Sequence, residues 1–187
     1  MTSSNTLEAA VAALDQAGIP HMLAGSFASS LHGLARTTAD IDLVIDPPPG
    51  AIDRFVEAID RDRYYVDESS ARTAVDDQSQ FNVIDTHTGW KIDMIVRKSR
   101  PFSIAEFNRR LPATVIGVPV FVATAEDTIL AKLEWALIGG SERQLHDVIE
   151  ILRIRRSDLD SDYLDRWAQE LGVSALLAQA RANSRGE

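Results

Sequence analysis

Leu23-Ala24-Gly25-Ser26-Phe27-Ala28, followed downstream by Ala39-Asp40-Ile41-Asp42-Leu43-Val44-Ile45, is the stretch on which the reading of this chain turns. The second half has strand character, so Asp40 and Asp42 leave one face of the strand while Ile41, Leu43 and Ile45 leave the other. A further acid stands in the same kind of setting in Lys91-Ile92-Asp93-Met94-Ile95. Carboxylates in apolar strands are costly unless a cation accompanies them. Asp40, Asp42 and Asp93, converging from neighbouring strands, therefore point to a bound divalent metal, and their hard oxygen donors favour Mg²⁺.

Gly25-Ser26 sits where a short strand, His21 to Ala24, gives way to a helix through Ala28, Leu31 and His32 that Gly33 ends. Such a turn offers backbone N–H groups, a hydroxyl and the positive end of a helix dipole, which together suit a phosphate. Metal and phosphate cradle predict a nucleoside triphosphate. Upstream, Leu7, Val11 and Leu14 lie at helical spacing before Gly18. Downstream, Pro47-Pro48-Pro49-Gly50 breaks the Asp-x-Asp strand, and Ile52, Phe55, Val56 and Ile59 form the next helix face. From Tyr64 to Val96 the pattern favours strands, with a hairpin at Asp85 to Gly89 that leaves Asp93 on a strand. Residues 97 to 114 read as irregular apart from a short helix near Ile104 to Arg109, and Pro119 in Val118 to Val122 suggests a sheet edge. After Thr124, a capping-box start, everything is helical. The expected division is a core over residues 1–123 and a C-terminal helical region over 124–187 packed on it.

The 187 residues are 45% hydrophobic and 25% charged, enough for one core domain with a helical appendage. Without cysteine, disulfides, thiolate zinc sites and thiol catalysis are excluded. No apolar run is long enough to span a bilayer and the start lacks the pattern of a signal peptide, so a cytoplasmic protein with no membrane partner is expected. A net charge of −9 disfavours extended duplex DNA. Arg97, Lys98, Arg100 and Arg109 form either a solvated face or a phosphate-contacting rim. Trp90, Trp135 and Trp167 read as core or interface aromatics.

The order strand, Gly25-Ser26, helix, Asp40-x-Asp42 strand, hairpin, Asp93 strand resembles the polymerase β-type nucleotidyltransferase superfamily over roughly residues 20–96. Residues 125–152 are similar, more loosely, to small bacterial members of the minimal and abortive-infection toxin type. The resemblance implies an α+β nucleotidyltransferase fold, a mixed twisted sheet flanked by helices with a C-terminal helical extension. It implies a two-metal Mg²⁺ site on Asp40, Asp42 and Asp93, with Gly25 and Ser26 holding the triphosphate of an NTP such as ATP. Arg36 matches the segment between the two motifs as a triphosphate contact, its alternative being a loop salt bridge. Lys132 is implied to contact phosphates and Asp147 to position it; the competing reading makes both ordinary exposed helix residues.

The expected reaction is Mg²⁺-dependent transfer of a nucleoside monophosphate to a hydroxyl acceptor with release of pyrophosphate, the acceptor being tRNA, a protein or a small molecule. A toxin-type enzyme of a toxin–antitoxin system, with a cognate antitoxin as partner, fits the resemblance. A catalytically inactive nucleotide-binding, regulatory or antitoxin module is the alternative. A third reading makes the C-terminal helices an oligomerisation or docking unit, with Leu164, Trp167, Leu171, Leu176 and Leu177 as the face of a homodimer.

Overall fold

The computed structural model describes residues 3–33 and 40–186. Its strands are β1 (His21–Leu23), β2 (Asp40–Ile45), β3 (Tyr64–Val66), β4 (Gln80–Asp85), β5 (Lys91–Val96), β6 (Leu111–Val115) and β7 (Val118–Val122). Its helices are α1 (Ser3–Ala17), α2 (Gly25–His32), α3 (Ala51–Ala58), α4 (Glu68–Asp77), α5 (Pro101–Asn108), α6 (Ala125–Gly139), α7 (Glu142–Ile154), α8 (Ser161–Glu170) and α9 (Ser174–Arg185). They group into two compact units. One comprises the described parts of Met1–Ala24 and Thr38–Val122, the other those of Gly25–Thr37 and Ala123–Glu187.

The first unit is an α+β assembly around a seven-stranded mixed sheet in the order β3-β4-β5-β2-β1-β7-β6. β2 lies at its middle, parallel to β5 and antiparallel to β1. In both β2 and β5 burial alternates residue by residue. Ile41, Leu43, Ile45, Ile92 and Met94 are fully buried on one face, each contributing about 1.5–3 kcal/mol by leaving water. Phe81 of β4 shares that face and meets Phe55 of α3 edge-on, ring centroids 6.2 Å apart. α1 buries Leu7, Ala10, Val11, Leu14 and Ala17 along one stripe, and it stops at Gly18, whose φ of 69° is open to a residue without a side chain. Because Ile41, Leu43 and Ile45 of β2 and Ile92 and Met94 of β5 face one way, the acids between them face the other, together with Val44 and Ile95.

Two elements depart from the sequence pattern. Within the stretch expected to be strand stands α4, whose buried residues are Ala71 and Ala74 alone; alanine gives almost no hydrophobic signal, and the helix is started by Asp67, which accepts from the Ser70 N–H at 2.6 Å. β6 occupies residues expected to be irregular, and it forms the sheet edge that Pro119 had suggested for β7. Pro119 pairs with Thr114 of β6, whereas β1 meets β7 at Val122. Its missing N–H therefore takes no ladder bond from the β1 side.

The second unit gathers α2 with the four C-terminal helices. Thr124 caps α6, accepting from the Asp127 N–H at 3.2 Å and donating its hydroxyl to Asp127 Oδ2 at 2.7 Å. Asp127 also accepts the Tyr163 hydroxyl at 2.6 Å, which ties α8 to the start of α6. α2 enters through close packing: a Cβ on Gly33 would stand 3.1 Å from Ile151 Cγ1 and 3.2 Å from the Ser29 carbonyl. His32 donates from Nε2 to the Ala123 carbonyl at 2.8 Å, and burial lowers its pKa against the pull of that carbonyl. Of the C-terminal apolar face, Leu164, Trp167 and Leu177 are buried within the chain itself, while Leu171 and Leu176 are half-buried.

Candidate active site

The open face of β2 and β5 carries the acids, and strand register fixes their relations. Asp42 lies directly across from Asp93, and Asp40 from Lys91. Partners in register share a face, so these four residues form a square on the sheet. On the far side of β5, Asn82 of β4 is the register partner of Asp93 and is exposed. Lys91 projects into the acids: its Nζ is 3.0 Å from each carboxylate oxygen of Asp93 and 3.6 Å from Asp40 Oδ1. The hydrogen bond goes to Asp93 Oδ2, while Asp93 Oδ1 is buried and accepts none. Asp93 is the most enclosed of the three, its side chain 13% exposed against 36% for Lys91 and 51% for Asp40. The hydrogen bond to Asp93 raises the Lys91 pKa, opposed by burial and assisted by the charges of Asp93 and Asp40.

Among the described residues no three His, Asp or Glu side chains stand together as ready-made metal ligands. Lys91 is instead the cation that the carboxylates surround. The donor set nevertheless fits Mg²⁺, because carboxylate oxygens on one sheet face are the hard ligands it takes, and the buried Asp93 Oδ1, which pairs with Lys91 without a hydrogen bond, is an acceptor that a hydroxyl would satisfy.

In the second unit, Gly25 has φ 56°, a left-handed conformation that explains why glycine precedes Ser26. The hydroxyls of Ser29 and Ser30 return to the Ser26 carbonyl at 3.0 and 2.9 Å, stiffening the first turn of α2. Lys132 and Asp147 are neither exposed nor ordinary. Their side chains are 5% and 7% exposed, and Lys132 Nζ donates to Asp147 Oδ2 and to Gln144 Oε1, both at 2.8 Å. Arg36, the remaining residue expected to hold triphosphate, lies outside the described residues. Of the basic rim, Arg97 is committed to Asp46 at 3.0 Å and Arg100 to the Ser103 hydroxyl at 3.0 Å. Trp135, expected in a core or interface, is 56% exposed.

Lys91 is the site residue that the sequence motifs did not single out. Its signal was present as a basic residue two positions before Asp93 on a strand, which places both on one face.

No family model matches the sequence, and no curated protein does. Solved structures do. ANT(2")-Ia, in complex with adenylyl-2"-tobramycin, is similar with a TM-score of 0.61 at 15% identity, the match covering 92% of this chain and 98% of that one. An antigenic nucleotidyltransferase-like protein from Paracoccidioides brasiliensis is similar with a TM-score of 0.65 at 18% identity, covering 100% of this chain and 93% of that one. The chain shares the fold of these nucleotidyltransferase and nucleotidyltransferase-like structures. No described helix is long and apolar enough to cross a membrane.

Proposed function

We propose that this protein transfers a nucleoside monophosphate from an NTP to a hydroxyl acceptor, releasing pyrophosphate. The observation that carries the reading is the register of β2 against β5, which sets Asp42 opposite Asp93 and on the same face as Asp40, inside a nucleotidyltransferase fold. Asp40, Asp42 and Asp93 would hold Mg²⁺, which when bound neutralises phosphate charge as a Lewis acid. Asp93 takes the proton of the acceptor hydroxyl. The freed oxygen bonds to the α-phosphorus as the bond from that phosphorus to the pyrophosphate oxygen breaks, and the electron pair leaves with pyrophosphate. The Gly25-Ser26 turn at the start of α2 binds phosphate through N–H groups and the Ser26 hydroxyl. Lys132, which the resemblance implies as a phosphate contact, is held by Asp147 and Gln144.

Asn82, the register partner of Asp93 on β4, would help orient the acceptor. The relative solved with adenylyl-2"-tobramycin gives reason to assay small hydroxylated molecules first, then tRNA and protein. A toxin-type role belongs to this reading, and arrest of growth on expression would report it. The non-catalytic alternative draws on one observation, that Lys91 already neutralises part of the acid cluster.

The experiment is incubation with α-labelled NTPs and each acceptor class, scored by pyrophosphate release and label transfer, on wild type and Asp42→Asn. The wild type should turn over and Asp42→Asn should lose at least a hundredfold while melting normally. Nucleotide binding without pyrophosphate release in the wild type would establish the binding module instead, and unchanged turnover in Asp42→Asn would remove the metal assignment.

A further inference from the structure

We infer that Lys91 stands in for one of two divalent cations, so that the acid cluster takes a single exchangeable metal ion at Asp40 and Asp42 while the ammonium serves Asp93. The inference rests on the metal-site reading above and replaces its two-metal form.

Backbone register puts Lys91 on the acid-bearing face. Lys91 shares a strand face with Asp93 and is the direct partner of Asp40 across the parallel β2–β5 pair. A four-carbon stem from that position reaches both carboxylates. Its nitrogen lies equidistant from both Asp93 oxygens at 3.0 Å and reaches Asp40 at 3.6 Å. A second divalent ion on Asp93 would have to share one carboxylate with an ammonium and meet its repulsion at close range, in the most enclosed part of the cluster. Three carboxylates and one ammonium leave two negative charges, which one divalent ion neutralises. Two would overcharge the empty site.

The same contact gives Lys91 a positioning role. By hydrogen-bonding Asp93 Oδ2 it holds the carboxylate in one orientation, leaving Oδ1, buried and without a hydrogen bond, as the atom that receives a proton. Lys91 lies 3.0 Å from both oxygens but hydrogen-bonds only Oδ2, so Oδ1 keeps its hydrogen-bonding capacity for the acceptor and the base is oriented by protein without a metal ion beside the nucleophile.

The test is Mn²⁺ titration of the full chain followed by electron paramagnetic resonance of the unbound ion, on wild type, Lys91→Met and Lys91→Gln. Wild type should bind one Mn²⁺ per chain. The variants should bind a second, or bind the first at least tenfold more tightly, and circular dichroism melts should show them folded. Two ions on the wild type overturns the inference whatever the variants do, and leaves the metal reading intact. One ion with the same affinity in all three proteins also overturns it. No Mn²⁺ bound by any of them at millimolar concentration removes the metal reading and this inference together.

Discussion

Asp85 is fully buried at the end of β4 and collects donors from three directions. It accepts from Thr6 of α1 at 2.9 Å, from Arg63 Nη2 at 2.7 Å and Nε at 3.2 Å, and from the His87 and Thr88 N–H groups at 3.0 and 3.2 Å. Burial pushes its pKa up, but the bonds from Arg63, Thr6, His87 and Thr88 outweigh it and hold the carboxyl well below the ordinary range. A carboxyl that titrates lower when folded stabilises the fold fully above its unfolded pKa, about 3.9, and loses that contribution as pH falls through the folded value. Asp85→Asn should therefore cost about 3–5 kcal/mol at pH 7 by urea unfolding, as expected for breaking a buried pair from one side. Below pH 4 the gap between variant and wild type should close. A gap that stays constant to pH 2 would show that the charge is not what Arg63 and Thr6 hold. This contact also shows what a motif search passes over, since Asp85 reads in sequence as the first residue of a hairpin turn and only the fold brings Thr6 to it.

At the scale of elements, what was legible followed from strong local chemistry. β2 and β5 were readable because fully apolar positions alternate with acids, α6 because Thr124 and Asp127 make a cap, and Gly25 because a strand turns directly into a helix there. α4 was not, since alanines bury it, and neither was β6, whose Leu111 and Pro112 face solvent. The Lys132–Asp147 pair was half legible: its positions were marked, but its burial depends on α6 and α7 packing together. Removing the lysine alone, in Lys132→Met, strands the Asp147 charge and should cost about 3–5 kcal/mol. The double variant Lys132→Met/Asp147→Leu should recover most of that stability, because an apolar pair replaces an ionic one. If Lys132 also contacts phosphate, the recovered protein will still bind nucleotide poorly, whereas full recovery of both would confine the pair to holding α6 against α7.

Across the whole molecule, the units do not follow the chain. A boundary at residues 123 and 124 divides the sequence where strands end and helices begin, yet α2 belongs to the unit made mostly from residues after 122. Its anchors there include Gly33 against Ile151, His32 on the Ala123 carbonyl, and Arg155 donating to the Leu31 carbonyl at 3.3 Å. α2 is also short, at 8 residues, and isolated helices of that length are unstable in water. A chain ending at Ala123 should thus keep the sheet but lose α2, and with it the ordered Gly25-Ser26 turn. Hydrogen exchange read by mass spectrometry should find the amides of residues 28–32 exchanging at unfolded rates in the shortened chain, while those of β2 and β5 stay protected by their shared ladder and buried face. Nucleotide binding should weaken for the same reason, since the proposed phosphate cradle is only as rigid as the helix it opens. Protection of α2 that survives the truncation would mean that this helix draws its stability from the sheet-bearing unit, and the boundary at 123 would then mark a true domain edge.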